Sequence, residues 1–132
     1  MKNWLGVDME KGKHTRREKG LIYFVEAEGL NRLKIGYTQG KFAARLAVIQ
    51  TGSPVDIKPL LVWKDKTELD ERDLHQMFKK YRLHGEWYVG HIKIYDHILM
   101  VANRSEEEGD AVVYLKNLSH AYDEAARICQ NA

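Results

Sequence analysis

The chain has 132 residues, 44% of them apolar and 30% charged, which fits one globular domain with a single core. No apolar run approaches the roughly 18 residues of a membrane span, and the charged N-terminus is unlike a secretory signal, so an intracellular, cytoplasmic protein with no membrane partner is expected. A lone cysteine, Cys129, excludes an internal disulfide, and the net charge of +2 by itself says little about partners.

Charge is unevenly spread along the chain. Residues 1 to 20 hold six Lys/Arg against three Asp/Glu, and residues 104 to 132 hold three against six. Within residues 1–19, Lys11, Lys13, His14, Arg16, Arg17 and Lys19 form a basic arm of the kind that tracks a phosphate backbone; a solvated lead-in has the same composition.

Leu21-Ile22-Tyr23-Phe24 and Lys34-Ile35-Gly36-Tyr37-Thr38 both read as strands, and Gly29 and Asn31 between them supply hairpin turn chemistry. On neighbouring antiparallel strands, Tyr23 and Lys34 come close if they share a face. Residues 41 to 50 place Phe42, Leu46 and Ile49 on one side of a helix, which Gly52 and Pro54 end. Ile57 to Trp63 reads as a third strand, with Pro59 at an edge or near its start. Thr67 and Asp70 form a capping box for a helix to about Tyr81, with Leu74, Met77, Phe78 and Tyr81 apolar and Glu71 and His75 one turn apart beside that stripe.

A turn at His84-Gly85 leads to Glu86, and Ile92 to Ala102 reads as a helix. Residues 104 to 110 are acidic and contain glycine, as a linker does. The final segment starts like a strand at Val112-Val113-Tyr114-Leu115 and ends like a helix.

Several of these motifs, taken in order, resemble one family. Leu21-Ile22-Tyr23 after Gly20, Lys34-Ile35-Gly36, Arg45 in a helix, Glu71 to His75, and Gly85-Glu86-Trp87-Tyr88 are similar to the GIY-YIG nuclease superfamily. The likeness is strongest to the branch of phage-type DNA-binding domains and meiotically up-regulated fungal proteins. It covers about half of the chain, from Gly20 to Val89. Lysine stands at 34 where the family name has tyrosine, and Ile49 stands where many members carry histidine.

The resemblance implies an α+β fold with a small three-stranded antiparallel sheet flanked by helices. The chain then divides into the basic arm, a nuclease-like domain at 20–103, and an acidic linker with a C-terminal α or α/β extension at 104–132.

It also implies a metal-dependent DNA endonuclease. Glu86 would be the one protein ligand of a divalent cation, Mg²⁺ or Mn²⁺. Tyr23 would be the general base, its phenol needing a nearby cation to lower its pKa, with Lys34 as the candidate. Arg45 would hold the scissile phosphate in its planar fork. Tyr37 and His75 would position water or orient a catalytic side chain, and His75 titrates where a general acid for the leaving oxygen is useful.

Taken alone, each residue has a plainer reading: Tyr23 as a half-buried strand aromatic, Lys34 as an edge-strand charge, Glu71 and His75 as a helix-surface pair. A DNA-binding module that keeps the fold without cleavage is the alternative function. Specificity would come from a partner protein or be absent, and cutting both strands with one site would take a homodimer or two successive events.

Overall fold

The computed structural model describes residues 18–131. Lys11, Lys13, His14, Arg16 and Arg17 of the predicted basic arm lie outside that range; Lys19 is inside it and exposed. The described residues form four α-helices and a six-stranded sheet whose spatial order is β4 (Arg82–His84), β5 (Trp87–Val89), β2 (Arg32–Thr38), β1 (Gly20–Ala27), β3 (Ile57–Lys66) and β6 (Ala111–Val113), with every pairing antiparallel.

The predicted hairpin is β1 (Gly20–Ala27) and β2 (Arg32–Thr38). Gly29 and Asn31 in its turn have φ of 80° and 53°, a conformation that glycine and asparagine adopt most readily. Then come α1 (Phe42–Thr51), β3 (Ile57–Lys66), α2 (Glu68–Met77), a 3₁₀ turn (Lys79–Tyr81), β4 (Arg82–His84), β5 (Trp87–Val89), α3 (Ile92–Glu108), β6 (Ala111–Val113) and α4 (Leu115–Gln130).

The α+β class agrees with expectation, but the sheet is twice the expected width. β4, β5 and β6 have three residues each, too short to print an alternating pattern on the sequence. Pro59 fits inside β3 because the ladder to β1 shifts register where Val25 faces it, and β6 pairs only with Leu61 to Trp63.

Residues 104 to 108, expected within a linker, are instead the last turns of α3. Val101, Ala102 and Ser105 continue its buried stripe, and Gly109 (φ 69°) closes the helix by donating to the Ser105 carbonyl. The C-terminal segment adds to the same core: β6 extends the sheet, and α4 buries Leu118, Ala121 and Ala125.

β1 is buried on both faces. Ile22 and Phe24 point into the main core with Leu33, Ile35 and the apolar sides of α2, α3 and α4. Tyr23, Val25 and Ala27 point the other way, under Phe42, Leu46 and Ile49 of α1. On that second face, β2 contributes Lys34 and Gly36 where apolar residues would close the core. Strand alternation thus leaves a charged side chain and a gap beside Tyr23.

Candidate active site at the edge of β2

β5 pairs only with Arg32 to Lys34 of β2, so from Ile35 onward β2 has no strand neighbour on that side among the described residues. The β4–β5 turn and α2 occupy the gap. The Ile35 N–H donates to the Glu86 carbonyl at 3.1 Å, and the Ile35 carbonyl lies 3.1 Å from His75 Nε2. Both backbone groups of this edge residue are thereby satisfied by the elements that carry the candidate site.

The capping box fixes the start of α2: Thr67 Oγ1 accepts from the Asp70 N–H at 3.3 Å, and the Asp70 carboxylate accepts from the Thr67 N–H at 2.8 Å. With Leu74 and Phe78 buried in the core, Glu71 and His75 face the strand edge. A proton on Nε2 suits the bond to Ile35, and burial lowers the His75 pKa while that bond opposes the shift. With Nε2 turned to the Ile35 carbonyl, the ring is placed to hold and orient the edge of β2. Its Nε2 is also 3.7 Å from Glu71 Oε2.

Sequence reasoning gave Glu71 only a minor place, yet it is central to this cluster. Ligand atoms of Glu71, His75 and Glu86 all lie within 4.8 Å of one another. Glu71 Oε2 is buried and has no hydrogen-bond partner among the described residues, with His75 Nε2 beyond hydrogen-bond distance and the Glu86 carboxyl close by. Burial first, then the contact with Glu86, pushes the Glu71 pKa up to about 8. Glu71 therefore keeps its proton to a higher pH than an ordinary carboxyl does. Two close hard oxygen donors with an imidazole beside them fit a divalent cation such as Mg²⁺ or Mn²⁺, whose charge would replace that proton.

Tyr23 reaches the cluster from the other face of the sheet. Its phenol crosses Gly36, where a Cβ would lie 2.2 Å from both the ring Cζ and the hydroxyl oxygen. The hydroxyl feels the Arg45 guanidinium of α1, which lowers its pKa, and the carboxylates of Glu86 and Glu71, which raise it.

Lys34 shares this face, since Tyr23 pairs with Gly36 and Val25 with Lys34. Its ammonium does not serve the phenol, however. Nζ is 3.1 Å from Glu86 Oε1 and 5.5 Å from the centre of the Trp87 ring. In place of the lowered pKa expected, burial and the carboxylates push Tyr23 up to about 12, against the opposing pull of Arg45.

Tyr37 lies apart from this cluster. It pairs with Ile22, projects to the opposite face from Tyr23, and donates its hydroxyl to the Glu18 carbonyl at 2.8 Å. Tyr88 is nearer: fully buried, edge-on to His75 at 5.5 Å, with a hydroxyl that has no partner among the described residues. An open cleft of about 620 Å³ gives access to the carboxyl pair, lined also by Arg72, Lys79 and Arg82.

Residues 20–103 match the family model of the T5orf172 domain, which spans the hairpin, α1, β3, α2, the β4–β5 turn and most of α3. The chain belongs to the T5orf172 domain family. T5orf172 domains stand in an endonuclease-associated group, and DNA is a partner that suits them. Every member of the edge cluster falls within the T5orf172 match, whereas β6 and α4 lie beyond it. No curated protein and no solved structure matched. Among the described residues no helix is long and apolar enough to cross a membrane.

Proposed function

We propose that this T5orf172 domain is a metal-dependent DNA endonuclease of GIY-YIG type. The observation that carries the reading is the Glu71–Glu86 carboxyl pair, without a hydrogen-bond partner at Glu71 Oε2 among the described residues and approached by a phenol and a guanidinium from the opposite face. Lys34 neutralises Glu86, one of the two acids held together at this sheet edge, and no ion pair to Lys or Arg is seen for Glu71 among the described residues. Like charges there destabilise the fold unless a proton or a cation sits between them.

Glu71 and Glu86 would hold the cation, with His75 orienting Glu71. When bound, a hard divalent cation supplies positive charge to phosphoryl oxygens and offsets the carboxylate field that keeps Tyr23 protonated. Arg45 holds a phosphate oxygen and the phenol together, so charge developing on the phosphoryl group meets a fixed guanidinium. Tyr23, its own proton released to solvent, takes one from the attacking water as the water oxygen bonds phosphorus and the bond to the departing oxygen breaks, that oxygen taking a proton from solvent. Lys34 keeps Glu86 in place through its ion pair and presents its remaining N–H groups to the substrate.

A second reading, a DNA-binding module without cleavage, draws support from the Tyr23 phenol, held near 12 by its surroundings. Nicking of supercoiled plasmid with Mg²⁺, Mn²⁺ or EDTA separates the two. The endonuclease reading expects nicking with metal that is lost in Glu86→Ala, Glu71→Gln and Arg45→Ala. Pure protein that binds DNA but nicks with neither metal supports the module.

A further inference from the structure

The charged surface next to the cleft has no part in the chemistry above. From the end of α2 to the start of α3, residues 79 to 93 contain Lys79, Lys80, Arg82 and Lys93, with Glu86 their only acidic residue. With Arg72 on α2 these make five exposed cations, none of which has an ion-pair partner among the described residues. Lys34, Lys58 and Arg127 show the contrast, each holding a carboxylate.

Contacts order these cations into a path. Arg72, Lys79 and Arg82 line the same cleft as Glu71 and Glu86. Arg82 is steadied by donating Nε–H to the Gly85 carbonyl at 2.7 Å. Lys80 sits 5.5 Å from the Tyr81 ring centre, and Tyr81 stacks on His91 with centroids 4.2 Å apart and planes 14° apart. Lys80 and Lys93 both act on His91, whose basicity they and burial reduce. The nearby Asp96 is already engaged by the Tyr122 hydroxyl.

Holding like charges together without counter-ions is unfavourable, and such a field is set to receive a polyanion. The cations run along the turn, β4 and the helix start instead of converging on one point, which suits a phosphodiester chain better than a single small anion.

We infer that the surface from Arg72 through Lys79, Lys80 and Arg82 to Lys93 is a track for the nucleic-acid backbone flanking the scissile phosphate. It rests on the cleavage reading for its direction, since the track begins at the cleft of the carboxyl pair. The track, and not only the basic arm, then sets the affinity and its salt dependence.

The test is binding of a fluorescein-labelled 20-base-pair DNA duplex to the full chain in EDTA, followed by anisotropy over a range of salt, with an RNA duplex of the same sequence as a second arm. A triple variant, Lys79→Gln with Lys80→Gln and Lys93→Gln, removes one cation at the cleft and two beyond it and leaves Arg72 and Arg82 in place. Each phosphate contact contributes about 0.9 to the slope of log affinity against log salt, so the triple variant should lower the slope by roughly 2 to 3 and the affinity at moderate salt by on the order of a hundredfold.

A comparison variant carries Lys11→Gln, Lys13→Gln, Arg16→Gln and Arg17→Gln. An unchanged slope in the track variant overturns the inference, as does wild-type protein that binds neither duplex. Because binding is read without metal, the two proposals fail separately: a lowered slope without nicking defeats only the endonuclease, and nicking with an unchanged slope defeats only the track.

Discussion

Gly36 and the Tyr23 phenol occupy each other's space: the strand residue opposite Tyr23 has no side chain, and the ring lies where one would be. An alanine there puts its Cβ into the ring, so Gly36→Ala must push the phenol off Arg45 and the carboxyl pair. Overpacking of this kind destabilises by about 1 to 3 kcal/mol, and a misplacement near 1 Å lowers rates about a hundredfold. Gly40→Ala is the control, since its Cβ meets only Thr38 Oγ1 at 3.6 Å. Nicking rate and thermal midpoint measured together should show Gly36→Ala folded but about a hundredfold slower, and Gly40→Ala near wild type. Equal activity in both would remove Tyr23 from the chemistry.

The carboxyl pair makes stability depend on pH in the direction opposite to an ordinary buried ion pair. Glu71 is held up at about 8 against 4.5 in an unfolded chain. Between those values the unfolded chain has released the proton that the folded one keeps, so stability is fully present below about 4.5 and declines as pH rises towards 8. In metal-free protein, Glu71→Gln should remove that decline. Because the pair lies at an open cleft, solvent screening limits the gain at pH 8.5 to on the order of 1 kcal/mol. Urea unfolding at pH 5.5 and 8.5 in EDTA measures it, and identical pH slopes for the two proteins would contradict the raised pKa of Glu71.

Tyr88 offers a separate test of the site's lining. Its hydroxyl is buried and without a partner among the described residues, while burial pushes its pKa up to about 12. Removing an unsatisfied buried hydroxyl without changing the shape of the ring is neutral or stabilising by about 1 kcal/mol. Tyr88→Phe should therefore raise the thermal midpoint or leave it unchanged. A fall of several degrees would mean that the hydroxyl has a binding partner in solution.

How far the sequence carried this picture depends on the range of each signal. The hairpin, α1 and the capping box of α2 are local, written in alternation, helical spacing and turn chemistry, and all were legible. Arg45 and Glu86 came from motif order, and the structure brings both to the edge of β2. What was illegible was non-local. Glu71 looked like half of a surface pair because nothing in its own helix announces Glu86, which arrives through a turn between two three-residue strands. Lys34 and Tyr23 do share a face, but the sequence could not show that Glu86 is the nearer claim on the ammonium. The acidic stretch after Ala102 masked the buried Ser105, whose place in the α3 stripe exists only against the core.

The sharpest discrimination lies in the phenol and its guanidinium. Tyr23→Phe keeps the ring that packs on Phe42 at 5.8 Å and removes only the hydroxyl that the Arg45 charge acts on. If the hydroxyl moves the proton of the attacking water, nicking should fall by about 10² to 10⁴, the range of general-base catalysis. A base held protonated near neutrality also makes the wild-type rate climb with pH, so the profile between pH 7 and 9.5 should rise in wild type and flatten in Tyr23→Phe.

Arg45→Lys separates charge from geometry. Lysine retains the positive charge but cannot hold the phenol and a phosphate oxygen in one planar fork, so a loss of at least about tenfold is expected. A Tyr23→Phe protein that keeps the wild-type rate and profile would give proton transfer to another group. The phenol would then be a spacer that sets Arg45 against the substrate, and Arg45→Lys would carry most of the defect.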